Sequence, residues 1–123
     1  MLEHEDARPR RLAVDATGTV WYSDYARGAL GAFDSEKKSS REWPCPQKGA
    51  APYGIALGAD GRVWYDESGA DTMVGFDPAS HANVAVKIPT SGSVVRNIAA
   101  DPKRRCLWLA LSGVGKLAKL DLA

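Results

Sequence analysis

The sequence is poor in the residues that most often carry chemistry: its 123 residues include 2 histidines and 2 cysteines. Two thiols do not make the framework of a small disulfide scaffold. Cys45 lies between Pro44 and Pro46, a loop setting, and Cys106 opens an apolar, strand-like run that suits a buried small hydrophobe. Neither cysteine has a histidine near it in sequence, so a thiol nucleophile or a zinc site has no support. His4 sits in a polar N-terminal stretch and His81 in a turn, and both are expected at the surface. An excess of one charge is also lacking. A net charge of +1 gives no pull toward nucleic acid or a membrane surface. The runs Arg8-Pro9-Arg10-Arg11 and Lys103-Arg104-Arg105 are short and read as solvated loops. No apolar run approaches the length of a membrane-spanning helix, and Met1 to Asp6 lacks the apolar stretch of a signal peptide. The compartment stays open, with a periplasmic or secreted setting available to a longer parent. Helical periodicity is missing as well, so the chain is expected to be all-β.

What is present is a repeat. Pro9 to Asp24 aligns with Pro52 to Glu67 at an offset of 43. A third unit, Val95 to Leu111, keeps that offset through Asp101 and then shifts to 44 after one inserted residue. Leu30-Gly31-Ala32-Phe33-Asp34 matches Met73-Val74-Gly75-Phe76-Asp77 and Leu117-Ala118-Lys119-Leu120-Asp121. Each unit reads as short strands: Leu12 to Val14, a tight turn at Gly18, an aromatic strand Val20 to Ser23, a strand at Leu30 to Phe33 and a fourth at Arg41 to Trp43. Four antiparallel strands per unit of about 40–45 residues is the signature of a β-propeller blade. A β-sandwich, the competing all-β reading, does not explain the self-similarity. Ala13, Ala56 and Ala99 suit the crowded innermost strand, and Trp21, Trp64 and Trp108 are expected to pack between blades.

The array is therefore read as residues 1–8 leading in, blades at 9–51 and 52–94, and an incomplete blade at 95–123 that lacks its outer strand. An open arc exposes two blade faces and an edge, which calls for missing blades or self-association to cover them.

Propeller chemistry sits on loops at one end of the central channel. In each blade the residue before the first strand (Arg10, Tyr53 or Arg96) and the residue ending the second (Asp24, Glu67 or Leu111) fall at the same end. Arg10, Asp24, Glu67 and Arg96 are expected to form a mixed-charge rim, with Asn97 beside Arg96 and with Tyr22, Tyr25, Tyr53 and Tyr65 as an aromatic wall. Rim ion pairs, an anion or metal site, and acid–base chemistry by Glu67 are all open readings of this set.

Pro52-Tyr53-Gly54-Ile55-Ala56 and Asp60-Gly61-Arg62-Val63-Trp64-Tyr65-Asp66-Glu67, followed by Gly75-Phe76-Asp77-Pro78, resemble the repeat of virginiamycin B lyases, also called streptogramin lyases. The resemblance covers nearly the whole chain. It implies a seven-bladed propeller of which these are somewhat under half of the blades. It also implies an antibiotic-linearising elimination at an ester, dependent on Mg²⁺, with a histidine before one first strand as base and a glutamate ending the second strand that helps hold the metal. Glu67 matches the glutamate, and Asp24 is a shorter acidic equivalent. The histidine position is Arg10, Tyr53 or Arg96. The resemblance thus leads to the expectation of a lyase-like propeller that binds a small molecule at the channel mouth through Arg10, Asp24, Tyr25, Tyr53, Arg96 and Asn97, without the family base. A metal-dependent lyase or hydrolase completed by missing blades, with Glu67 as catalytic and Mg²⁺-binding residue, and a non-catalytic interaction scaffold are the alternatives.

Overall fold

The computed structural model describes residues 2–122. Met1 and Ala123, the outermost residues of the leading segment and of the third unit, lie outside them. The described chain is eleven β-strands and two three-residue 3₁₀ turns. The strands are β1 Pro9–Val14, β2 Val20–Asp24, β3 Ala29–Asp34, β4 Ser39–Pro44, β5 Pro52–Leu57, β6 Val63–Glu67, β7 Thr72–Phe76, β8 Asn83–Lys87, β9 Val95–Asp101, β10 Cys106–Leu111 and β11 Lys116–Asp121. They form three antiparallel meanders in the orders β1-β2-β3-β4, β5-β6-β7-β8 and β9-β10-β11. Among the described residues the third sheet has no fourth strand. The innermost strands β1, β5 and β9 run side by side, so the sheets stand as consecutive blades around one axis.

The first hairpin of each blade turns through a left-handed residue at one repeat position: Gly18 (φ 86°), Gly61 (φ 80°) and Arg105 (φ 48°). Glycine adopts this backbone freely, and Arg105 does so behind the inserted turn Pro102–Arg104, where the Asp101 side chain accepts from the Arg104 N–H at 3.3 Å. The turn also latches the blade tryptophan. Trp21 Nε1–H donates to Asp15 Oδ2 at 2.9 Å, and Trp64 Nε1–H donates to Asp60 Oδ2 at 3.1 Å. In the second blade the Asp15 position is Gly58, because a Cβ there would collide with Asp60 and Trp64.

Each latched indole packs onto the following blade. Trp21 stacks on Trp43 (centroids 5.8 Å) and lies 5.8 Å from Phe76, in a cluster with Ile55, Val63, Tyr65 and Val74. Trp64 does the same against Leu107, Leu109 and Ile98 of the third blade. Trp108, at the same register, is 42% exposed. The expectation that all three tryptophans are inter-blade core is corrected there, because no blade follows β9–β11 among the described residues. The first strands also begin earlier than expected, at Pro9, Pro52 and Val95, so Arg10, Tyr53 and Arg96 lie inside strands. With them Arg10 and Arg11 move from the expected solvated loop onto β1.

Trp21→Ala removes a 4%-exposed indole from the first blade junction and is expected to cost about 3–5 kcal/mol of unfolding free energy in urea melts. Val84→Ala, on an outer strand at 39% exposure, is expected to stay within about 1 kcal/mol of the parent.

Candidate functional site

The start of each innermost strand carries a register shift against its neighbour, between Pro9 and Leu12, between Pro52 and Ile55, and at Val95–Asn97 opposite Ala110–Leu111. A bulge of this kind re-aims the side chain beside it. Here it turns Arg10, Tyr53 and Arg96 together over one end of the axis. They line a cavity of ≈ 610 Å³ with Tyr25, Ala51, Ser68, Gly69 and Val94, and a second cavity of ≈ 440 Å³ lies beside it along Pro44–Ala51.

The bulge frees backbone N–H groups that must find partners. In the second blade the Asp66 carboxylate takes two of them: its Oδ1 accepts from Tyr53 N–H at 2.9 Å and Gly54 N–H at 2.7 Å. Ser68 donates its hydroxyl to Asp66 Oδ2. In the first blade the equivalent residue is Ser23, whose Oγ accepts from Arg11 N–H at 3.2 Å and donates to the Tyr53 carbonyl at 2.6 Å. Tyr53 is thereby fastened on both sides of its peptide. Asp66 was not among the expected site residues. The signal for it is a polar residue inside an aromatic strand at the repeat position of Ser23. Burial pushes the Asp66 carboxyl up to about 6, against the hydrogen bonds from Ser68, Tyr53 and Gly54, which pull it down.

Two loops complete the mouth. Ala51 and Val94 occupy one repeat position, and both have φ 49°. This is a strained conformation for a β-branched valine. The Val94 carbonyl accepts from Ser112 N–H at 3.1 Å, and the matching bond in the first blade runs from Tyr25 N–H to the Arg8 carbonyl at 3.2 Å. Gly69 N–H donates to Ala50 at 2.9 Å, and any Cβ on Gly69 would strike the Gly49 carbonyl.

Asp24 and Glu67 do not reach the cavity, and the expected mixed-charge rim is corrected accordingly. Asp24 is buried, and its Oδ1 accepts from the N–H groups of Arg8 (3.0 Å) and Arg27 (3.1 Å). Glu67 is buried, with Oε2 accepting from Gln47 N–H at 3.0 Å and Oε1 from Gln47 Nε2 at 3.1 Å. Glu67, at the end of β6, holds the Gln47 loop between the first two blades, and Asp24, at the end of β2, holds the leading segment at Arg8 and its own β2–β3 loop at Arg27. The ion pairs at this end lie elsewhere, with Arg27 bridging Glu42 (2.6 Å) and Asp6 (2.8 Å).

The aromatic wall divides in the same way. Tyr25 and Tyr53 face the mouth, edge to face at 6.2 Å, whereas Tyr22 and Tyr65 are buried in the blades. Tyr65 shares a hydrogen bond with Cys45, and burial pushes that thiol up to about 12, which leaves it unreactive. Cys45 and Cys106 are both free and buried. His4 and His81 are exposed, as expected.

The guanidiniums gather on the tyrosines. Arg10 lies 5.0 Å from the Tyr25 ring centroid and 5.9 Å from that of Tyr53, with Arg11 at 5.2 Å and Arg96 at 5.8 Å from Tyr53. Asn97 stands behind them on β9, its Oδ1 accepting from Arg11 Nε at 3.1 Å. Magnesium, which the family resemblance implies, does not fit these residues. Among the described residues no three His, Cys, Asp or Glu side chains converge, and both Glu67 oxygens are engaged by Gln47.

Consecutive antiparallel sheets around an axis, with loops converging at one end, define a β-propeller segment. The chain belongs to the virginiamycin B lyase family, whose model matches residues 1–123. Among solved structures it is similar to catalytically inactive virginiamycin B lyase from Staphylococcus aureus with quinupristin, at 21% identity and a TM-score of 0.83, over 99% of this chain and 44% of that one. It is also similar to Kuenenia stuttgartiensis hydrazine synthase (15% identity, TM-score 0.79, 98% of this chain and 34% of that one). A third is an auxiliary nutrient binding protein from Bacteroides ovatus (14%, 0.70, 99% and 33%). No curated protein sequence matches the chain. The chain thus spans less than half the length of the solved lyase.

Because the Asp66 pKa is raised on folding, from 3.8 to about 6, folding favours its protonated form. Its contribution is present in full below pH about 4 and is lost as pH rises through about 6, a change of roughly 3 kcal/mol. Asp66→Asn keeps the acceptor for Tyr53 and Gly54, so urea midpoints recorded from pH 4 to 7 should lose this slope in the variant. An unchanged slope would assign it to another group.

Proposed function

We propose that this chain is a lyase-family propeller segment that binds a small molecule at the channel mouth and does not itself supply the catalytic base of the family. The observation that carries this reading is the ≈ 610 Å³ cavity onto which the bulges of three separate blades direct Arg10, Tyr53 and Arg96. Its size suits a small ligand, and its lining combines aromatic rings with convergent donors.

The residues at the family's histidine position argue against proton abstraction here. Arg10 and Arg96 carry no lone pair that can act as a base near neutral pH. Tyr53 places a phenol, not an imidazole, at that position. Glu67, the candidate for catalysis and for Mg²⁺, is closed in by Gln47. The chain is therefore read as a binding segment, with any elimination chemistry belonging to blades beyond it.

Two measurements test this. In amide-resolved NMR with a library of small neutral fragments, shifts should gather at 10, 25, 53, 69, 94 and 96. Shifts gathered instead on the second cavity, around 44–51, would overturn the site. With quinupristin and Mg²⁺, mass spectrometry should show the antibiotic intact, and its linearisation by this chain would refute the missing base.

A further inference from the structure

The acids and the arginines at this end of the axis are segregated. Asp24 is buried and accepts from the Arg8 and Arg27 N–H groups, and both oxygens of the buried Glu67 accept from Gln47. Arg27, Arg62 and Arg104 each pair with a carboxylate, yet no carboxylate of a described residue pairs with Arg10, Arg11 or Arg96. These three cations instead crowd the Tyr53 ring, each within 6 Å of its centroid. Ring faces attract cations but do not neutralise them. The mouth is therefore a concave site with a concentrated positive potential, on rigid strands; Arg11 is held by the Arg96 carbonyl and Asn97, which leaves the Arg10 and Arg96 guanidinium forks for planar oxyanions.

We infer that the ligand taken at this mouth is an oxyanion, a small molecule bearing a carboxylate or a phosphate held by Arg10 and Arg96 over the Tyr25–Tyr53 pair. This rests on the mouth being the binding site and adds the chemical class of what it binds. The two sources of the shared chemistry are separated by the probes. Inorganic phosphate and succinate are each titrated into the full chain, followed by amide shifts at 53, 69, 94 and 96. Binding of at least one anion should localise there, weaken with added salt, and fall about tenfold or more in Arg10→Gln and in Arg96→Gln. Lys103→Gln, on the exposed turn outside the mouth, should bind like the parent. Anion shifts no larger at the mouth than at the exposed basic turn Lys103–Arg105, or affinities unchanged in both arginine variants, would overturn the assignment. If neutral fragments still occupy the mouth in that case, the site stands and only the anion is wrong. If nothing occupies it, both readings fall.

Discussion

Each sheet in this chain has two apolar faces, and neither can be buried within its own sheet. That constraint organises the rest of the molecule. The Trp21 and Trp64 faces are covered by the blade that follows, and the Tyr65 and Phe76 face by the blade that precedes. The cores of the molecule therefore lie between sheets, and stability is a sum over junctions, as in other repeat architectures. The Trp–Asp latches of the hairpin turns belong to the same logic, since they fix the indole on the side where the next sheet stands.

The mouth of the axis depends on those junctions at one remove. Buried acids at the ends of β2 and β6 tie neighbouring loops to the blades, and backbone bonds such as Gly69 to Ala50 and Gly113 to Ser93 tie successive loops together. With the loops held, the bulges at the strand starts can direct three large side chains over the axis without losing backbone hydrogen bonds. The cost of the bulge is met by Ser23 and Asp66, and in the second blade this leaves a carboxyl group that burial makes reluctant to ionise.

Much of this was legible in the chain alone. The 43-residue offset located the strands, the aromatic register and the unpaired third sheet, because repeat spacing and alternation are direct consequences of blade geometry. What spacing does not reveal is which way a side chain turns at a strand end. Residues 10 and 24, or 53 and 67, share one end of a blade as expected, but a bulge sends the first of each pair over the axis while the second is buried against neighbouring loop backbone. The mixed-charge rim was wrong for that reason. Trp108 was misplaced for another: its register is that of Trp21 and Trp64, but burial depends on a neighbour and not on the residue itself. Tyr25, Tyr53, Arg10 and Arg96 do line one cavity, because their positions in the repeat sit at the bulge or on the loop facing it.

The residue that fastens the bulge differs from blade to blade: serine at 23, aspartate at 66 and alanine at 110. Alanine has no polar side-chain atom with which to hold the start of β9, so Arg96 is carried by its strand pairing and by the strained Val94 loop. The mouth thus resembles a vise with two bolted jaws and one held by its hinge. Because Ser23 grips both its own first strand and the Tyr53 carbonyl of the next blade, a substitution at 23 reshapes two jaws together, whereas one at 110 reaches only the third.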